Sequence, residues 1–158
     1  MSLTSLNKLD DSNNIDYLKK FIPALFLTFV FRILISCIRS YPIDMYGYVA
    51  WSKYLAIYGP SQFYGTSGFH VVYAPFFQYC LWFTGEIANK LSVSTALHAF
   101  LIKFWSVLFE FIGAWLILLI SEKSKKTKSG TIMALIYLVN PGVYINSSIW
   151  GQFDSIPA

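Results

Sequence analysis

Apolar residues gather in long runs separated by short polar stretches, the pattern of helices that cross a bilayer or lie on it. Residues 1–20 are polar, carry Lys8, Lys19 and Lys20 and have no periodicity, which predicts a cytosolic tail. FIPALFLTFVFRILISCI, residues 21–38, is an 18-residue run with one charge. At 1.5 Å per residue it spans roughly 27 Å and predicts a first transmembrane helix. Pro23 would fall in its first turn, where a missing N–H is harmless, and Arg32 should face protein or snorkel rather than face lipid.

Residues 39–98 are less apolar and predict an outer loop with two interfacial helices. In the first, about 43–58, Tyr46, Ala50, Tyr54 and Tyr58 recur at helical spacing before Gly59 and Pro60 stop it. The second, about 71–88, is broken by Pro75 and Gly85 and holds Gln78 and Glu86. Residues 99–120 predict a second transmembrane helix, 121–129 a Lys-rich cytosolic loop, and 130–149 a third span broken at Asn140, Pro141 and Gly142. Residues 150–158, with WGQFDS, begin a second outer loop.

Charge decides the status of 71–88. A cytosolic tail and a cytosolic Lys-rich loop require an even number of crossings between them, and residues 21–38 and 99–120 already supply two. The alternative, four spans with Lys123 to Lys128 outside, has to bury Gln78 and Glu86 as well. The two-crossing arrangement puts Asp44 and Asp154 on the same, non-cytosolic face.

Composition agrees with a membrane setting: 56% of the residues are hydrophobic, 19% aromatic and only 13% charged, too little polar surface for a soluble domain of 158 residues. The net charge of +4 comes from bases clustered beside apolar runs, which favours membrane orientation over nucleic-acid binding. Cys37 and Cys80 lie in apolar surroundings without zinc-site spacing and read as inert packing residues. His70 and His98 stand singly at segment edges and take no chemical role. No phosphate-loop, dinucleotide, zincin or nucleophile-elbow motif occurs.

Candidate chemistry falls on the acids. Asp44 sits a few residues past a span, where a carboxylate stays ionised and can serve as a base, although an acid there is commonly just solvated. Asp154 lies past another span on the same side. Paired acids offer a base plus an orienting group, or a divalent-metal site. Trp150, Gly151 and Gln152 also fit a plain helix cap at the interface. Lys103 and Glu110, seven residues apart, share one face of the second span, where they either contact neighbouring helices or hold an anionic lipid head group through Lys103.

Taken in order, the acid Asp44 after the first span, LAIYGPSQFY, VVYAPFFQY, a span with Lys103 seven before Glu110, the Lys-rich loop and VNPGVYINSSIWGQFDS resemble the N-terminal module of the GT-C glycosyltransferases. These polytopic enzymes take sugars from polyprenyl-phosphate donors. The similarity is greatest to the group that includes the GPI mannosyltransferase, the dolichyl-phosphate-glucose transferases and related bacterial and archaeal mannosyltransferases, and it covers about residues 21–156. It departs at Ala74, which replaces the first proline of a Tyr-Pro-Pro element matched by Tyr73 and Pro75. There is also no Asp-x-Asp, because Met45 and Tyr46 follow Asp44.

The resemblance implies an all-α integral membrane fold, the N-terminal part of a polytopic module. It implies a hexosyltransferase that moves a sugar such as mannose from a lipid-linked donor to a hydroxyl of a glycan, lipid or protein acceptor on the non-cytosolic face. Asp44 would be catalytic, and Asp154, Gln152, Lys103 and Tyr73 substrate-binding. No metal ligand is assigned; a divalent metal stays open as a cofactor, and nucleic acid is not a partner. The setting would be the plasma membrane of a prokaryote or the endoplasmic reticulum of a eukaryote. On this reading the chain is an N-terminal fragment, inactive alone because later helices wall the donor cavity. Two other classes remain: a non-catalytic GT-C-like subunit of a membrane complex, and a transporter half, for which the sequence has no inverted repeat.

Overall fold

The computed structural model describes the backbone of residues 3–66, 68–69, 71 and 73–156, with the side chains of Lys19 and of those from Phe21 on, Thr66 excepted; His70 lies outside the described residues. Among the described residues the structure is all-helical, without a strand. Helix α1, Leu3–Ser36, runs through most of the stretch expected as a tail. Asn, Asp and Ser, weak helix formers, hid this part of the helix from a pattern reading. Pro23 therefore lies inside α1 rather than in its first turn and removes one backbone hydrogen bond there.

Pro42 starts α2, Pro42–Tyr58, and Gly59, at φ +77°, ends it by donating its N–H to Leu55 O at 2.8 Å. Met45, Tyr48, Val49, Ser52 and Leu55 form the buried stripe, while Tyr46, Ala50 and Tyr58 of the aromatic stripe are exposed. After a single 3-10 turn, Pro60–Gln62, and the short α3, Phe63–Thr66, the chain reaches α4, Pro75–Lys90. Pro75 and Gly85 do not break this element. Pro75 is its first residue, and Gly85 marks the place where α4 crosses α2.

Helices α2 and α4 run parallel, with Tyr48 edge-on to Phe77 at 5.4 Å and the Ser52 hydroxyl donating to Leu81 O at 2.6 Å. A Cβ on Gly85 would sit 2.2 Å from Ser52 O. Because that atom is backbone, the helices themselves must separate. Gly85→Ala is therefore expected to lower stability by about 1–3 kcal/mol, as overpacking does, read as an earlier melting transition in detergent.

Ser94 caps α5, Thr95–Lys123, by accepting from Leu97 N at 3.3 Å. The helix is 29 residues long, a turn longer at its N-terminal end than expected. It runs antiparallel to α1 and to α4: Phe29 meets Phe111, Phe76 meets Phe109, and Phe83 meets Trp105. Helix α6, Thr127–Val139, returns along α5 and takes in the end of the Lys-rich stretch, leaving residues 124–126 as the turn. The break at Asn140 falls where the sequence puts it. The Asn140 side chain accepts from Gly142 N at 2.8 Å and Pro141 opens α7, Pro141–Tyr144, which continues into a π-helical segment, Ile145–Trp150.

Two apolar clusters share α5. Ile102 and its neighbours meet α2, α4, Phe153 and Ile156, whereas Ala114 meets Phe21 of α1 with Ala134 and Leu138 of α6. Cys80 belongs to the first cluster, and burial pushes its thiol up to about 11; Cys37, in contrast to the expected packing role, is exposed. Between the clusters lies a polar tier. Arg32, fully buried, pairs with Glu110 and donates to Ser148 Oγ at 2.7 Å, Ser147 Oγ at 2.6 Å and Leu138 O at 3.2 Å. Arg32 thus faces protein, and Glu110 has a helix-to-helix role. Among the described residues, α5 is the one single helix long and apolar enough to cross a membrane. Helix α6 with Pro141–Trp150, bent by 45°, passes the same test as a pair, and the apolar part of α1, Phe21–Ser36, is shorter.

Candidate active site

Asp44 stands in the first turn of α2, where the positive end of the helix dipole favours a carboxylate. It is half-buried, and its partners come from the other end of the chain. Oδ2 accepts from Trp150 Nε1 at 2.9 Å and from Gln152 Nε2 at 2.6 Å. The segment that brings them is shaped by Gly151, at φ +94°. A Cβ there would lie 2.5 Å from Met45 Cε, the movable end of a flexible side chain, so it is the backbone conformation that requires glycine. The wider coil of the π segment before it turns Ser147 and Ser148 to Arg32 and Trp150 to Asp44.

Gln152 is held along its whole length. Its Oε1 accepts from Tyr48 OH at 3.1 Å, and its backbone O accepts from Ser106 Oγ at 2.9 Å. Ser155 Oγ in turn donates to Ser106 O at 3.0 Å, which fastens the chain beyond Gln152 to α5. Tyr48 is buried, and burial first, then the Tyr73 hydroxyl, then the charges of Asp44 and Asp154 push its phenol far above the usual range. It keeps its proton and acts as a donor.

The other site residues divide. Asp154 is exposed and accepts from Asn146 Nδ2 at 2.8 Å; no hydrogen bond joins it to Asp44, although both charges act on Tyr48. Tyr73 packs its ring on Phe153 at 4.5 Å and on Trp51 at 5.8 Å, and its backbone O accepts from Tyr64 OH at 2.8 Å, so it belongs to the aromatic cluster beneath the site. Lys103 is buried with Nζ donating to Ile38 O at 2.7 Å, just past the end of α1. It lines a cavity of about 690 Å³ whose other walls are mainly apolar, among them Met45, Val49, Ala96 and Phe100, with Arg39 as a second cation. Among the described residues no acid lines this cavity. Met45 and Tyr46 line it while Asp44, one residue earlier, faces Trp150 and Gln152, so the first turn of α2 joins the cavity to the carboxylate.

Among the described residues, no three His, Cys, Asp or Glu side chains gather to hold a metal ion. His98 takes a structural part, its Nε2 lying 2.9 Å from Ser52 Oγ. Sequence reasoning missed Trp150 as a partner of Asp44, Tyr48 as the partner of Gln152 and Arg32 as the partner of Glu110. Each of these pairs is 78 or more positions apart, and the one available signal was that Arg32 and Glu110 are charges of opposite sign inside apolar runs. Comparison with protein-family models, with curated proteins and with solved structures returned no match.

Proposed function

We propose that the chain is part of an integral membrane glycosyltransferase of the GT-C kind, which moves a hexose such as mannose from a polyprenyl-phosphate donor to an acceptor hydroxyl on the non-cytosolic face. The observation that carries this reading is the half-buried Asp44 carboxylate, held by two donors on one oxygen and set beside an apolar cavity whose wall holds the Lys103 ammonium. Such a site supplies what the reaction requires: a base for the acceptor, a cation for the leaving phosphate and an apolar space for the lipid chain.

Support for the membrane setting comes from the outward faces of α1 and α6. Ile22, Phe26, Leu27 and Leu34, with Met133 and Ile136, are all at least 59% exposed. The Gln152 and Ser155 contacts that hold the Asp44 site meet α5 at Ser106. Ser106, which binds the Gln152 carbonyl there, stands about 26 Å along the helix from Lys123, near a bilayer's hydrocarbon thickness.

The test is transfer by the intact protein, in membranes, from a panel of sugar donors. Polyprenyl-phosphate hexoses should turn over and nucleotide sugars should not; the reverse preference would remove the reading. Sidedness is a separate expectation. In a Cys37→Ser background, a membrane-impermeant maleimide should label Ser61→Cys on intact cells or right-side-out vesicles, and Lys126→Cys only after permeabilisation. Labelling of both from outside would defeat the two-crossing arrangement.

A further inference from the structure

Both hydrogen bonds to Asp44 end on the same oxygen. Oδ2 takes Trp150 Nε1 and Gln152 Nε2, while among the described residues Oδ1 takes no donor. The orientation of the Gln152 amide is fixed by the carboxylate: it only accepts, so Nε2 must face Asp44, which turns Oε1 to the phenol of Tyr48 as its acceptor. Tyr48 itself has little freedom. It is 2% exposed and wedged edge-on between Phe77 at 5.4 Å and Phe153 at 5.3 Å. The chain Tyr48 to Gln152 to Asp44 therefore runs from a rigid aromatic cluster to a single carboxylate oxygen.

We propose that Tyr48 and Gln152 are positioning residues that clamp Oδ2 of Asp44 and so reserve Oδ1 for the acceptor hydroxyl. The role rests on the reading of Asp44 as the base. In the step it serves, the acceptor O–H proton passes to Oδ1 and the acceptor oxygen bonds to the anomeric carbon. The bond from that carbon to the phosphate oxygen breaks, and its electron pair leaves with the polyprenyl phosphate. A carboxylate free to rotate about its Cβ–Cγ bond would offer either oxygen at a changing angle; one anchored at Oδ2 offers the same oxygen each time, and orientation of this kind governs rate rather than binding.

Gln152→Glu is nearly isosteric and keeps an acceptor for Tyr48, but it replaces the amide donor to Asp44 with a second carboxyl group against Oδ2. Tyr48→Phe removes one oxygen from the far end. With radiolabelled polyprenyl-phosphate-mannose as donor and the intact protein, Gln152→Glu should lower kcat on the order of 10²-fold and Tyr48→Phe about tenfold, each with KM within about threefold of the parent. A 19F spectrum of the protein carrying fluorotryptophan, with Trp150 assigned by Trp150→Phe, gives a readout free of activity. Tyr48→Phe should move the Trp150 resonance, although no hydrogen bond or ring contact joins Tyr48 to Trp150, because the oxygen that binds both Trp150 and Gln152 is released. Unchanged kcat in both variants, with Asp44→Asn inactive, overturns the positioning role and leaves the base in place. A loss confined to KM overturns it in favour of substrate binding by Gln152. An active Asp44→Asn overturns the reading beneath it, and a Trp150 resonance that stays put overturns the linkage itself.

Discussion

Asp44→Asn in the intact protein is expected to remove sugar transfer while the protein is still made, inserted and folded. The substitution keeps the size of the side chain and removes its basicity, so the acceptor proton has nowhere to go; general bases contribute roughly 10²–10⁴-fold, and kcat should fall by that factor. The structural cost is smaller. A carboxylate in the first turn of an exposed helix end contributes about 0.3–1 kcal/mol through the helix dipole, and the bonds from Trp150 and Gln152 add a similar amount each. A protein with a large buried core tolerates such a loss, so transfer and folding separate cleanly in this variant. Turnover by purified Asp44→Asn at more than a tenth of the parent rate would dismiss Asp44 as the base.

The largest effect on stability is expected at Glu110. Glu110→Ala leaves the Arg32 guanidinium fully buried with only the hydroxyls of Ser147 and Ser148 and the Leu138 carbonyl around it. Removing one member of a buried pair costs about 3–5 kcal/mol, mostly through the stranded charge. Replacing both members, Arg32→Met with Glu110→Met, removes the charge problem and should recover most of the loss, since apolar replacements of buried pairs are often neutral or better. Thermal unfolding of the parent and the two variants in detergent checks this. A double variant as unstable as Glu110→Ala would mean that the ion pair stabilises by more than avoiding a stranded charge.

What the sequence revealed followed from how local each signal was. Helix α5 was legible because its apolar run is continuous, although its first turn and the Ser94 cap went unread, and the turn at Asn140 and Pro141 because both residues act on their own backbone. Asp44 and Asp154 stood out as acids beside apolar runs. Pro75 and Gly85 misled because their meaning depends on what lies opposite: a proline looks the same at the first position of a helix as at a break, and Gly85 makes sense only once Ser52 is known to press on it. The partners of Asp44 were hidden for the same reason. Nothing within ten residues of Asp44 points to Gln152, 108 positions away, and the aromatic company of Tyr48 reads equally as an interfacial belt.

Three side chains on α5 give that helix a fixed phase. Lys103 holds the Ile38 carbonyl, Ser106 the Gln152 carbonyl, and Glu110 the Arg32 guanidinium, at spacings of three and four residues along one stripe. Rotation of α5 about its axis is thereby indexed within two turns, and the indexed stripe sets the end of α1, the turn that carries Gln152 and the tier around Arg32 at once. One residue inserted between Lys103 and Glu110 would turn one part of the stripe against the other by about 100° and release at least one of the three fastenings. Beyond the stripe, toward Lys123, α5 is held instead by close packing on α6, where Ala114 meets Ala134 and Leu138 and Ser121 lies against Gly130, so the helix is keyed by polar fastenings in one half and by small residues in the other.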